Sequence, residues 1–131
     1  MSTTTDVRSA PQAPASSLAA SAAFRRFAVV MGVTTPIIYV ICEMQNWPLF
    51  TYHPGTNRID LGYSAAVRDQ GPAMHWYGWM ALTIIGSAIL GLIAAFLPDR
   101  IVRRIPLSLT WIVPLAAVPV LIYALRFFWR W

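Results

Sequence analysis

Three side chains in this sequence are placed where they could do chemistry: Glu43, His53 and His75. His53 lies in the loop after the first apolar stretch, and His75 lies near the start of the second. An imidazole nitrogen at such a boundary can be an axial ligand of haem or a chlorophyll-type pigment, or a copper ligand. A single boundary histidine also commonly bonds a carboxylate or a backbone carbonyl. Because no HxxxH or CxxC spacing accompanies them, the sequence predicts no metal site and leaves His53 and His75 as candidate ligands.

Glu43 is the acidic residue that ends the first apolar stretch. A charged side chain at the bilayer centre costs about 2.5–3.5 kcal/mol on insertion scales. We therefore expect Glu43 to lie at a membrane edge, either solvated or paired with His75, Arg68 or Arg126. Such a pair would fasten the loop to the helix ends. A contact between Glu43 and His75 would also offer a proton relay.

The composition of the chain indicates which kind of fold positions these groups. Of 131 residues, 57% are hydrophobic and 11% are charged, against about 45–50% and about 25% in soluble domains. A soluble fold of this composition would expose a large apolar surface. We therefore predict an all-α integral membrane protein. The ten basic residues are all arginines, and most flank apolar stretches where they suit lipid headgroups, so we predict no nucleic-acid partner.

Three apolar stretches predict three transmembrane helices, at about residues 24–43, 73–97 and 105–127. Residues 1–23 consist mostly of Ser, Thr, Ala and Pro, which predicts a disordered cytoplasmic tail. The remainder, 24–131, is predicted to form one membrane domain. The second stretch carries no charge and would be about 37 Å long as a helix, which exceeds a hydrocarbon core of about 30 Å. We expect that helix to tilt or to extend into the interface.

Prolines inside two of the predicted helices indicate bends. Pro36 lies in the first, and Pro114 and Pro119 lie in the third. Proline lacks the backbone N–H and leaves one carbonyl of the preceding turn without its donor. The hydroxyl groups of Thr34 and Thr35 precede Pro36 directly, so we expect them to satisfy the freed carbonyl.

The second predicted helix carries a stripe of small side chains at four-residue spacing, which consists of Thr83, Ser87, Gly91 and Ala95. Small residues allow helices in lipid to approach closely, because packing drives their association. The stripe is therefore predicted to contact another helix. The partner is the first or third helix of this chain, or a helix of a different polypeptide.

A loop of about 29 residues, 44–72, joins the first two predicted helices. Within it, the alternating stretches 49–53 and 58–63 flank the turn sequence Pro-Gly-Thr-Asn at 54–57. This pattern predicts a short β-hairpin on the outer membrane surface. Because two strands alone are marginally stable, we expect the hairpin to pack against the helix ends or against another subunit.

Arginine placement predicts the orientation. Cytoplasmic segments favour Arg, and two short segments on one side of the predicted topology hold Arg25, Arg26, Arg100, Arg103 and Arg104. We therefore expect a bacterial inner-membrane protein with a cytoplasmic N-terminus and an external C-terminus. Arg100, Arg103 and Arg104 are candidate lipid-headgroup ligands, and their short turn predicts that the second and third helices are antiparallel neighbours. Five tryptophans are expected at the outer interface: Trp47, Trp76, Trp79, Trp129 and Trp131.

No motif for phosphate binding, nucleophilic catalysis or metal-dependent hydrolysis occurs in the sequence. The sequence therefore predicts a small, non-catalytic membrane subunit or an assembly or stabilising factor of a larger complex, with lipid and other membrane proteins as partners. It would pack through its second helix and its outer aromatic surface. One alternative is a redox subunit in which His75, with or without His53, ligates haem, a chlorophyll-type pigment or copper. A second alternative is a small oligomeric channel or carrier.

Overall fold

The computed structural model describes residues 21–102 and 104–126. In chain order the elements are α1 (Ala22–Gln45), β1 (Phe50–His53), β2 (Arg58–Leu61), α2 (Trp76–Phe96), α3 (Asp99–Val102) and α4 (Leu109–Ala124). The fold is thus mostly helical with one two-stranded sheet, and α1 begins two residues before the predicted span. Residues 1–20 of the predicted tail lie outside the described residues.

Helices α1 and α2 form the central antiparallel pair. Gly91 of α2 lies so close to α1 that a Cβ atom there would be 2.8 Å from Cδ2 of Phe27. Near the same end, Arg26 Nη2 donates a hydrogen bond of 2.8 Å to the carbonyl oxygen of Ala95. Cations at a helix C-terminus satisfy its free carbonyls and its dipole, so this bond ties the start of α1 to the end of α2.

Both helices of this pair are long and apolar enough to cross a membrane. Only 6% of the most apolar 18-residue window of α1 is buried, and 22% of that of α2. An apolar helix in the core of a soluble protein would be mostly buried. These two helices therefore favour a membrane location.

Helix α4 is apolar but has only 16 residues, against 24 in α1 and 21 in α2. The predicted third span, 105–127, is thus helical from Leu109 to Ala124 in the part that is described.

The prediction that the second and third helices are neighbours was wrong. Helix α4 packs against α1 and has little contact with α2. The short helix α3 between them also contacts α1. Because α3 leads the chain from the end of α2 towards α1, α4 packs along α1 and not along α2.

Helix α2 begins at Trp76 instead of at residue 73. The backbone of Met74 pairs with that of Tyr52 in an isolated antiparallel bridge. The two hydrogen bonds are Met74 N to Tyr52 O at 2.9 Å and Tyr52 N to Met74 O at 3.3 Å. Because this pairing needs extended backbone, the helix starts two residues later.

Pro36 lies inside α1, and the two threonines before it do not act as expected. The hydroxyl bonds run from Thr34 Oγ1 to Val30 O at 2.8 Å and from Thr35 Oγ1 to Met31 O at 2.7 Å. The carbonyl that loses its donor at Pro36 belongs to Gly32, four residues earlier. The hydroxyl groups instead donate to the carbonyl oxygens four residues earlier, as Ser and Thr commonly do within helices.

The predicted hairpin is confirmed. Strands β1 and β2 pair antiparallel, from Phe50 opposite Leu61 to His53 opposite Arg58. The hairpin lies across the start of α2, where the Leu49 amide donates to the Gly78 carbonyl at 3.1 Å. A Cβ atom on Gly78 would clash with the Phe50 carbonyl, so only glycine allows this approach.

Candidate functional site

The polar face of the hairpin points into the protein. Residues directly opposite each other in an antiparallel pair share one face, so the register places on this face Thr51, His53, Arg58 and Asp60. Thr51 and His53 are fully buried. The segment 47–75, which includes the hairpin and is called the hairpin cap below, therefore encloses the main cluster of polar side chains in the described part of the chain.

Thr51 fixes the segment that follows β2. Its Oγ1 donates a hydrogen bond of 2.7 Å to the Gly62 carbonyl and accepts one of 3.0 Å from the Ser64 amide. Gly62 has a positive φ of 74°, which glycine adopts without strain. The chain thus bends at Gly62 and is held there by the Thr51 hydroxyl.

Asp60 is the anionic centre of this cluster. Its Oδ1 accepts a hydrogen bond of 2.7 Å from Arg58 Nε, and its Oδ2 accepts one of 3.2 Å from Ser64 Oγ. Loss of solvent alone would raise the pKa of Asp60, but the hydrogen bond and charge of Arg58, with Ser64 and His53, lower it below 3.8 overall. Asp60 is therefore an ionised, hydrogen-bonded structural acceptor at neutral pH.

His53 is enclosed beside Asp60. Its Nε2 lies 3.4 Å from Asp60 Oδ2, and neither ring nitrogen has a hydrogen-bond partner among the described residues. Because the side chain has no exposed surface, a substrate cannot reach it in this conformation. In the described ranges no three His, Cys, Asp or Glu side chains converge as a metal site requires.

His75 is fixed by the hairpin cap. Its Nε2 lies 3.0 Å from the Ser64 carbonyl oxygen, and since a carbonyl can only accept, Nε2 carries the proton. The imidazole stacks on the Tyr63 ring at 4.8 Å and lies 6.3 Å from the Trp79 ring. The usual haem- or copper-binding nitrogen is thus already engaged, and this geometry gives no support to a cofactor ligand at His75.

Glu43 does not contact any of the partners expected for it. It makes no hydrogen bond or ion pair with His75, Arg68 or Arg126 among the described residues, and its Oε2 is buried without a hydrogen-bond partner. His75 instead contacts the carbonyl oxygen of Ser64 through its Nε2. The structure therefore shows neither a latch nor a proton relay at Glu43.

The stripe of small residues faces α1 for most of its length. Thr83 and Ser87 are 2% and 0% exposed, and Gly91 is buried against Phe27. Ala95 is half-buried, while Ala94 is 2% exposed. Each four-residue step rotates the position by about 40° around a helix, so the fourth residue has left the contact line and Ala94 takes its place.

The arginines after α2 lie on the surface. Arg100 and Arg104 are exposed, as headgroup contacts would require, and Arg103 lies outside the described residues. Trp47 and Trp76 are 61% and 44% exposed at the cap end of the helices, while Trp129 and Trp131 are not described.

The candidate residues predicted from the sequence do not include Thr51, Asp60 or Ser64, which organise the cap. The available signal was polar residues at alternate positions of both predicted strands, which places them on a single face. No protein-family model, curated protein or solved structure matches the chain.

Proposed function

We propose that the chain crosses the bacterial inner membrane three times and acts as a non-catalytic subunit or assembly factor of a larger membrane complex. The N-terminus lies in the cytoplasm, and the hairpin cap and the C-terminus lie on the other side. The two long apolar helices support the membrane placement, and the arginine distribution supports the orientation.

The observation that carries the proposal is the exposure of α4. None of its residues is buried by the rest of the described chain. The exposed apolar side chains are Trp111, Ile112, Leu115, Val118, Val120, Ile122 and Tyr123. A helix of 16 residues is about 24 Å long, shorter than a hydrocarbon core of about 30 Å. Association with another helix is one way in which a short span is accommodated.

The two prolines of α4 strengthen this argument. Pro114 and Pro119 remove two backbone donors from a helix that buries no residue. In lipid the freed carbonyls have no water to bond, so neighbouring helices usually compensate. A partner subunit packed along α4 would provide such compensation.

The hairpin cap offers a second contact surface for a partner. Ile59 and Leu61 of β2 are 62% and 88% exposed on the face opposite the polar cluster. Exposed apolar side chains of this kind are common at interaction sites. Because Thr51 and His53 on the opposite face are fully buried, the apolar face of the cap is the one available for docking.

The test is gentle isolation of the tagged full chain from native membranes, followed by native electrophoresis and mass spectrometry. We expect a stoichiometric protein partner. The double variant Leu115→Ala with Ile122→Ala should lose it. Leu92→Ala should retain it, although the exposed fraction of Leu92 on α2, 54%, is close to the 57% of Ile122. Migration of the wild-type chain alone in every mild detergent would contradict the proposal.

A further inference from the structure

Positive charge is concentrated at the end of the helix pair that lies opposite the hairpin cap. Residues 22–26 and 97–104 hold five arginines and one acidic residue, Asp99. Residues 43–75, at the cap end, hold two arginines and three acidic residues. The two ends of the pair therefore differ in the sign of their charge, and the end at α3 is the cationic one.

The fold brings arginines from distant parts of the sequence to this end. Arg25 lies in the first turn of α1, and the neighbouring Arg26 donates to the carbonyl oxygen of Ala95 near the end of α2. Arg100 lies in α3, which contacts α1. The amide of Arg104 donates a hydrogen bond of 3.3 Å back to α3. Arg25, Arg100 and Arg104 are called the arginine rim below.

The side chains of the arginine rim are accessible. All three residues are exposed, and none of them makes an ion pair or a side-chain hydrogen bond within the part of the chain that the structure describes. Their charges are therefore available to an anion from outside the chain. A guanidinium group presents paired N–H donors, which match the oxygen atoms of a phosphate group.

The arginine rim lies at the depth of phospholipid phosphates. Helix α2 has 21 residues, or about 31 Å, so it covers a hydrocarbon core of about 30 Å. Arg100 and Arg104 follow directly after this helix. The start of α1 lies at the same level, because it is hydrogen-bonded to the end of α2. Arginine side chains at such positions extend into the headgroup layer, where the phosphates are.

Apolar side chains lie beside the arginine rim and favour a lipid surface over a soluble anion. Ile101 and Leu107 are 53% and 66% exposed, whereas Val102 is 8% exposed. The connection between α2 and α4 thus buries one apolar side chain in the protein and presents two others outwards. Segments that lie on a membrane surface combine basic side chains with exposed apolar ones, which enter the boundary between headgroups and acyl chains.

We propose that the arginine rim binds the headgroup phosphates of anionic phospholipids such as phosphatidylglycerol. In phosphatidylcholine an ammonium group balances the phosphate, so three uncompensated guanidinium groups favour a lipid with a net negative charge. The proposed orientation places the rim at the cytoplasmic leaflet, whose surface potential is negative. The proposal rests on the membrane placement and orientation proposed above and is independent of any partner subunit.

The test measures the lipid composition beside the rim. Ser108 is exposed, and its side chain makes no capping hydrogen bond, so Ser108→Cys in a Cys42→Ala background can carry a fluorescent maleimide. The labelled full chain is reconstituted in phosphatidylcholine vesicles. Quenching by nitroxide-labelled phosphatidylglycerol, compared with nitroxide-labelled phosphatidylcholine, gives the relative affinity for the two lipids. We expect phosphatidylglycerol to be preferred.

Variants of the rim should reduce this preference. A basic residue near the surface contributes up to about a 5-fold increase in affinity for anionic lipid at low salt. Arg25→Gln, Arg100→Gln and Arg104→Gln should therefore each lower the preference by up to about 5-fold. Arg100→Lys keeps the charge and should retain most of it.

The matched controls lie at the cap end. Arg68→Gln removes an exposed arginine there and should leave the preference at the Ser108 label unchanged. A label at Met44→Cys, an exposed position at the end of α1, should respond equally to the two lipids and should not change in the rim variants.

Salt separates electrostatic attraction from other contacts. Raising NaCl from about 0.1 M to about 1 M shortens the Debye length from about 10 Å to about 3 Å, so the wild-type preference should fall. Inorganic phosphate at matched ionic strength should have no further effect, because it is not held at headgroup depth.

Three results would overturn the proposal: equal quenching by the two lipids at the Ser108 label, the same loss in Arg68→Gln as in the rim variants, or displacement of the lipid by inorganic phosphate. Failure of the chain to enter vesicles would contradict the membrane placement, and this proposal with it.

Discussion

Thr51 shows how strongly the hairpin cap depends on one hydroxyl group. Its Oγ1 bonds both the Gly62 carbonyl and the Ser64 amide, and the side chain is fully buried. Thr51→Val would leave both groups unpaired, so we expect the cap to lose about 1–3 kcal/mol of stability. Hydrogen exchange of the β1 and β2 amides in micelles measures this loss.

The control for this prediction is Thr56→Val. Thr56 lies exposed in the hairpin turn, and a surface substitution there should change stability by less than about 0.5 kcal/mol. Equal amide protection in the two variants would show that the Thr51 hydroxyl does not hold the cap.

Asp60 makes the cap sensitive to acid. Because Arg58, Ser64 and His53 lower the pKa of the folded carboxyl group below 3.8, its ionised form stabilises the fold. That stabilisation is fully present above pH 3.8 and is lost as the pH falls through the lowered folded value. We expect amide protection in β1 and β2, corrected for intrinsic exchange, to fall as the pH drops below about 4.

Asp60→Asn should remove this acid-dependent step and lower protection at neutral pH to a constant level. Asp69→Asn, at an exposed position of the same cap, should retain the wild-type profile. An unchanged acid transition in the Asp60 variant would assign the step to another group.

At the level of single residues, the sequence predicts strand positions but not which face is covered. Alternation at 49–53 and 58–63 predicts the hairpin, and the register of the strands places Thr51 and Asp60 on one face. In most half-buried strands the apolar face would be the buried one. Here the segment after β2 folds back onto the polar face, and this depends on hydrogen bonds of Thr51 that a pattern of residue types does not show.

Gly91 makes the close packing of α1 against α2 possible. A Cβ at Gly91 would lie 2.8 Å from Phe27 Cδ2 and 3.1 Å from the Phe27 carbonyl oxygen. The added methyl group would fit only if α1 and α2 moved apart. We therefore expect Gly91→Ala to lower the free energy of unfolding by about 1–3 kcal/mol. Thermal unfolding in detergent, followed by circular dichroism, measures the effect.

Gly86 of the same helix provides the matched control. A Cβ at Gly86 would meet only the flexible end of Ile38, at 3.5 Å. Gly86→Ala should be neutral or stabilising by up to about 1 kcal/mol, because alanine favours the helix. If both variants melt alike, close packing at Gly91 is not what holds the pair together.

Helix existence was predictable from apolar length, whereas helix ends and neighbours were not. The charge-free stretch 73–97 predicts α2, but its start at Trp76 depends on the backbone pairing of Met74 with Tyr52. In the same way, a short connection predicts that α2 and α4 are adjacent. Helix α3 contacts α1, and α4 packs against α1 instead of α2. No local sequence pattern predicts this position of α4.

For the whole molecule, the arrangement of α1 and α2 predicts which surfaces lie on opposite sides of the membrane. Helix α2 has 21 residues, or about 31 Å, which matches a hydrocarbon core of about 30 Å. The hairpin turn at Asn57 precedes α2, and the exposed Arg104 follows it. These two positions should therefore face different compartments.

Single cysteines at these positions test the topology in a Cys42→Ala background, which removes the buried native thiol. In intact spheroplasts an impermeant maleimide should label Asn57→Cys, and it should label Arg104→Cys only after lysis. A reporter that is active only outside the cytoplasm, fused after Trp131, should be active, because the proposed third span returns the chain to the cap side. An inactive reporter with correct labelling at the other two positions would show that α4, with its 16 residues and two prolines, does not cross. The three-span topology would then be wrong, although α1 and α2 would still form the membrane pair.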